Sequence, residues 1–232
     1  MRRVLTTEWL DLDNASDLEV ADDLGQIRWI NRHCGGIRLL LKRLQRLVDE
    51  DGWPQTPLRL LDVATGSADL PLRVVEWAAG RRRSVVAVGI DRHAAVLRVA
   101  RGRIGSLPQL RLVRADARAL PLRAGSFDYA LCSLFVHQLP EADGAELLRD
   151  LLRVARRAVL INDLRRNRLH YAAAWALARV LTRNRITRND APASVRNAYT
   201  TGELRALGAA SGASRVEIWR HAPFRACMVL RP

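Results

Sequence analysis

The twelve residues Leu60-Leu61-Asp62-Val63-Ala64-Thr65-Gly66-Ser67-Ala68-Asp69-Leu70-Pro71 restrict the fold of this chain more than any other stretch. Arg59 to Val63 is short and largely apolar, as a parallel strand buried on both faces must be. Thr65 to Ala68 carries no large side chain, so a ligand can approach the backbone there. Asp69 is placed to cap a following helix, and Pro71 suits its first turn, where a missing N–H does no harm. Strand, tight bend and helix start together put a ligand at the carboxyl end of the strand, the usual site in an open α/β sheet. Two phosphate-binding patterns are excluded: no Gly-Lys-Ser/Thr follows, and Ala68 and Pro71 stand where a dinucleotide loop would need glycine.

The rest of the chain repeats this rhythm. Val85 to Asp91 is a second buried strand ending in a carboxylate, 25 residues beyond Gly66. Leu110 to Ala117 is a third, with Asp116 just past its end, and Gly125 to His137 holds a fourth and its following loop. Ala158 to Asp163 is a fifth. Helices are expected near Leu70–Ala79, Ala94–Gly102, Asp143–Ala155, Leu169–Leu181 and from Thr201 to about Ala210. Arg183 to Arg196 is polar, contains Pro192 and reads as a loop. Val216–Trp219 and Phe224–Leu230 form a closing pair of strands around a turn near Pro223. The pattern predicts an α/β fold, a doubly wound Rossmann-like sheet of about seven strands with helices on both faces.

Ahead of this, residues 1 to 23 read as a loose acidic arm with a short helix. Leu24 to Val48 is helical in spacing but interrupted at Gly35-Gly36, which predicts two helices or a kink. The expected division is an N-terminal arm with helices over residues 1–50, covering the site or packing on the sheet, and one compact ligand-binding unit over 51–232.

In order and spacing these segments resemble the class I S-adenosylmethionine-dependent methyltransferases. Their first motif is usually written D-x-G-x-G-x-G; here Asp62 is followed by Ala64, Gly66 and Ala68. The resemblance implies that the last strand is antiparallel, with which the short connection near Pro223 agrees, and it implies S-adenosyl-L-methionine as cofactor, S-adenosyl-L-homocysteine as product, and no metal. It implies that Asp62, Ala64, Thr65, Gly66 and Ser67 frame the methionine and ribose. Asp69 would reach the methionine amine or serve only as a helix cap. Asp91 would hold the ribose hydroxyls with Arg92 flanking the adenine, Asp116 and Ala117 would read the adenine edge, and Ser133 and Leu134 would lie beneath the methionyl chain. His137, at the mouth of the fourth strand, has a side chain whose ordinary pKa near 6.5 suits a general base, or it is a hydrogen-bonded structural histidine. Asn162, Asp163, His170 and Tyr171 also stand near the crevice, either in the site or as helix caps, and Asn31-Arg32 could close over it.

Charge and cysteines bound the function class. The net charge of +14 invites a nucleic-acid reading, but Lys42 is the only lysine, the arginines are spread over every segment, and aromatic residues do not interleave with them as base stacking requires. Cys34, Cys132 and Cys227 form no C-x-x-C pair, which argues against a zinc site or disulfide framework and for a reducing cytoplasm. No apolar run reaches membrane-spanning length. The alanine-rich helix carrying Trp175 suits core packing, the wall of an apolar acceptor pocket or a homodimer face. The whole pattern, including Ser133-Leu134-Phe135-Val136-His137 and Asn162-Asp163-Leu164-Arg165-Arg166, resembles bacterial quinone-biosynthesis methyltransferases. It implies a small aromatic or apolar acceptor, methylated on oxygen first and on carbon second. The rivals are an RNA methyltransferase, although the N-P-P-Y/F type motif is absent, and a non-catalytic scaffold, supported only by the alanines at 64 and 68.

Overall fold

The computed structural model describes residues 1–12, 15–33, 35–221 and 223–232; Cys34 lies outside them. The strands are β1 (Leu58–Val63), β2 (Val85–Asp91), β3 (Leu110–Arg114), β4 (Phe127–Ser133), β5 (Ala155–Leu164), β6 (Arg215–His221) and β7 (Arg225–Arg231). They form one sheet in the order β3-β2-β1-β4-β5-β7-β6. β1 to β5 are parallel, and β7 runs antiparallel to both neighbours. From β1 the chain builds outward through β2 and β3, then returns to add β4 on the other side. The strand order therefore reverses at β1 and β4, and the crevice opens at their carboxyl ends.

Both faces of the sheet are covered, which is why its central strands are largely apolar. Leu60, on one face, joins Leu44 and Val48 of α2 (Gly36–Asp51) and Val74 of α3 (Asp69–Gly80). Leu61, on the other, joins Leu148 and Leu151 of α5 (Glu141–Val154) and Leu204 of α8 (Thr201–Ala210). Burying each such leucine stabilises the fold by about 1.5–3 kcal/mol. α4 (Ala94–Ile104) lies on the α3 face through Ala100. Among the described residues no helix is long and apolar enough to cross a membrane.

Two expectations are corrected near the crevice. Asp69 does not cap α3; it is the helix's first residue, and the cap position falls to Ala68, whose left-handed backbone makes no side-chain cap bond. Residues 183–196 are not a loop. They form α7 (Arg185–Asn197), capped by Asn184, whose side chain accepts from the N–H groups of Ile186 and Thr187. The segment looked like a loop because much of its buried face is polar: Thr187, Asp190 and Asn197 are all buried.

That polar face holds the N-terminal arm. Asp190 accepts from the N–H groups of Trp9 (2.8 Å) and Leu10 (2.9 Å). Asn197 exchanges bonds with the backbone of Thr6, accepting at 2.9 Å and donating at 2.8 Å. Arg3 donates to the carbonyls of His137 and Leu139. Behind the arm, the predicted break at Gly35-Gly36 separates α1 (Asp17–His33) from α2, and α1 starts seven residues before Leu24. Residue 23 is therefore helical rather than loose; Asp23 is buried and accepts from the Thr187 hydroxyl of α7.

Candidate active site

The bend after β1 is built from small residues because its backbone turns left-handed three times. Ala64, Gly66 and Ala68 have φ of 55°, 55° and 57°. Only glycine adopts this region without a steric penalty, so the two alanines store local strain. Thr65 sits against β2, where a Cβ on Gly89 would stand 2.8 Å from the Thr65 hydroxyl oxygen. That close approach lets the hydroxyl donate to Asp62 Oδ2 at 2.6 Å.

Carboxylates converge on this bend. Asp62 is 2% exposed. Burial drives its pKa up to about 7, opposed by the Thr65 hydrogen bond and reinforced by the charges of Asp91 and Asp69. Asp91 accepts from Gly66 N–H at 3.1 Å and from His93 N–H at 3.0 Å, which fixes its carboxylate across the bend. Asp69 accepts from Ser67 Oγ at 2.6 Å and pairs with Arg103 at 2.6 Å. A buried acid with one hydroxyl donor, beside two further acids, is an environment that favours a cation.

The other predicted residues stand at or just past the ends of β2, β3 and β4. Arg92 lies at the end of β2, and its carbonyl accepts from Arg114. Asp116 is gripped by Arg118 at 2.7 Å; that hydrogen bond holds its pKa at about 2, while Ala117 beside it is buried. At the end of β4, Ser133 accepts from Asn162 Nδ2 at 2.8 Å, and Leu134 takes a left-handed turn (φ 58°) as its N–H donates to the Asn162 carbonyl. Asn162 Oδ1 is buried and has no hydrogen-bond partner. The cap of α6 (Arg168–Leu181) is Asn167, so neither Asn162 nor Asp163 serves that purpose.

His137 stands apart from the crevice bend, in a 3-10 turn (Val136–Gln138) after β4. Its Nδ1 is 2.6 Å from Asp163 Oδ1 and its Nε2 is 3.1 Å from Glu8 Oε1. Burial alone would lower its pKa; the charge and hydrogen bond of Asp163, then those of Glu8, outweigh it and lift the pKa to about 10. Both ring nitrogens are occupied and the imidazole is held as a cation. Glu8 was not among the expected site residues. It also accepts from Gln138 and Ser194, and only a contact 129 residues away in sequence gives it meaning.

The donor set fits S-adenosylmethionine. Asp62 offers a buried carboxylate near a cation's preferred environment, the orphaned Asn162 Oδ1 offers a second acceptor, and the small bend leaves backbone within reach. Comparison with known proteins agrees. Residues 60–158 match the family described as "Methyltransferase domain". The ubiquinone/menaquinone biosynthesis C-methyltransferase UbiE of Sinorhizobium fredii is 34% identical over 100 residues, 43% of this chain and 38% of that protein. The matched part thus spans well under half of the relative's length. Human N-acetylserotonin methyltransferase, solved with S-adenosylmethionine, superposes with a TM-score of 0.68 at 12% identity, over 93% of this chain and 56% of that one. A SAM-dependent methyltransferase from Aquifex aeolicus superposes with a TM-score of 0.59 at 17% identity, over 89% of this chain and 97% of the other. That sheet order, that acidic bend and the domain match over residues 60–158 are together the features of a class I S-adenosylmethionine-dependent methyltransferase.

Proposed function

We propose that the chain methylates a small hydroxylated aromatic acceptor, on ring carbon ahead of oxygen, in the cytoplasm. The observation that carries the reading is the ring of carboxylates on a left-handed, small-residue bend at the sheet's reversal point. Carbon takes precedence because the relative matched at 34% identity is named a C-methyltransferase. The buried thiols Cys132 and Cys227 suit a reducing compartment.

When bound, the sulfonium supplies an activated methyl group and a neutral leaving group. The residues then have three tasks: to bind, to orient and to exclude water. Asp62, with Ala64, Gly66 and Ser67 leaving room, would neutralise the ligand's positive end, aided by Asp69. Asp91, oriented by two backbone N–H groups, would accept from the ribose hydroxyls. Arg92, Asp116 and Ala117 would bound the adenine, whose amine must share Asp116 with Arg118. Ser133 and Leu134 would floor the methionyl chain, with Asn162 Oδ1, bonded to Ser133 through its amide nitrogen, an unspent acceptor beside them.

A proton-accepting role for His137 finds no free ring nitrogen in this geometry. Its arrangement supports a positioning role: the imidazolium ties Glu8, and with it the arm, to the tip of β5 through Asp163. The arm would in turn cover the acceptor side of the crevice, where exclusion of water matters most.

The test is to incubate the full chain with methyl-labelled S-adenosylmethionine and hydroquinones, monophenols or bulk RNA, then locate the label by mass spectrometry and NMR. Label on a ring carbon is the expected result, and label on oxygen would reverse the order of the two positions. Label in RNA alone, or cofactor binding without transfer to any acceptor, would overturn the reading in favour of an RNA enzyme or a scaffold.

A further inference from the structure

The α6 helix is the least covered apolar element of the molecule. Ala178 is its one fully buried residue, and its packing is chiefly against α7. Leu169, Ala173, Ala176 and Val180 recur at helical spacing on a single face. Leu169 is 68% exposed and Val180 79%; Leu177 and Leu181 continue the face toward the helix end and are also exposed. An apolar face of this kind is rare on a monomer unless something covers it.

The charge around it identifies the occupant. Between Asp163 and Asp190 the chain carries seven arginines and no carboxylate. Arg166 is spent on Glu203, and Arg185 pairs with Glu19 of α1. Arg168 and Arg179 flank the apolar face and are exposed, as is Arg183 just beyond the helix, and among the described residues no carboxylate pairs with these three. The Arg179 guanidinium lies 4.0 Å over the ring of Trp175, itself half-exposed. Leucine and valine on one side, with arginine and tryptophan along the edge, is the pattern of a helix lying in a membrane interface. A second copy of this chain is disfavoured, because a two-fold contact would set one arginine edge against another with no acid between them. A nucleic acid would engage the arginines but leave the leucine and valine face in water.

We infer that α6 docks on the surface of an anionic lipid bilayer, inserting Leu169, Leu177 and Val180 among the acyl chains while Arg168, Arg179 and Arg183 meet the headgroups. Such docking gives an apolar acceptor a place to come from, since the bilayer is where such a compound concentrates.

The test is co-sedimentation of the full chain with vesicles of phosphatidylcholine alone, or of phosphatidylcholine and phosphatidylglycerol in equal parts. Binding is expected only to the anionic vesicles, weakening as salt is added. Leu177→Asp with Val180→Asp should weaken it by about tenfold or more. Arg168→Gln with Arg179→Gln should weaken it by about fivefold per arginine. Every position is exposed, so circular dichroism of both variants should match the parent. The inference is overturned by absence of binding to anionic vesicles. It is equally overturned by equal binding of the aspartate variant, by a dimer in sedimentation velocity that this variant dissolves, or by RNA displacing the protein from vesicles without loss in that variant.

Discussion

A carboxylic acid enclosed at 2% exposure with a single hydroxyl donor is costly to ionise, and Asp62 is such a group. Its pKa in the folded protein, about 7, lies above the ordinary 3.8, so folding favours the protonated form. The associated stability is complete below about pH 4 and is lost as pH rises through 7. In ligand-free protein, Asp62→Asn should therefore flatten the fall of the thermal midpoint between pH 4 and 8; an unchanged slope would refute this account of Asp62. His137 has the same sign in a different window. Its pKa rises from 6.5 to about 10, so the stability it brings is present below 6.5 and is lost as pH climbs through 10. His137→Gln should remove that alkaline dependence and destabilise the fold at neutral pH by about 3–5 kcal/mol, since it leaves Asp163 and Glu8 buried without their cation. Urea unfolding at pH 7 and 10 measures both effects, and a parent and variant differing equally at the two pH values would exclude an imidazolium.

At the scale of elements, the β1–α3 bend and the N-terminal arm make separate predictions. Ala64 and Ala68 hold left-handed backbone that costs an alanine about 1–2 kcal/mol. Glycine relieves this but loses about 0.5–1 kcal/mol of backbone entropy on folding. Ala64→Gly or Ala68→Gly should thus raise stability by up to about 1 kcal/mol; a lower urea midpoint for both would show the bend to be unstrained. The arm depends on Glu8, Asp190 and Asn197. Glu8→Ala should speed amide exchange in residues 3–10 while leaving β1 and β4 protected, whereas unchanged exchange in the arm would mean that Glu8 does not hold it. The bend was legible in the sequence because its chemistry is local: an acid, three small positions and a helix start within eight residues. The arm and α7 were not, because their polar groups make sense only once chain segments nearly two hundred residues apart are side by side. Asp190 and Asn197 look like loop residues until Trp9, Leu10 and Thr6 are seen bonded to them.

For the whole molecule, the layered α/β sheet was legible in continuous apolar strands and intervening helices, whereas the order of its strands was not. The antiparallel β7 is what the family resemblance implies and the short connection at Pro223 agrees with, and the observed pairing with β5 and β6 bears it out. What no local pattern could supply is the charge state of His137, which needs Glu8 and Asp163 on opposite sides of one ring. The central claim is that strand-tip acids around Gly66 bind an adenosyl sulfonium compound. Titration calorimetry of the full chain with S-adenosylmethionine tests it most directly, comparing the parent with Asp91→Ala. The account predicts one site per chain in the parent and an affinity lower by about 1–3 kcal/mol in the variant; no binding in the parent, or equal affinity in the two, would contradict it.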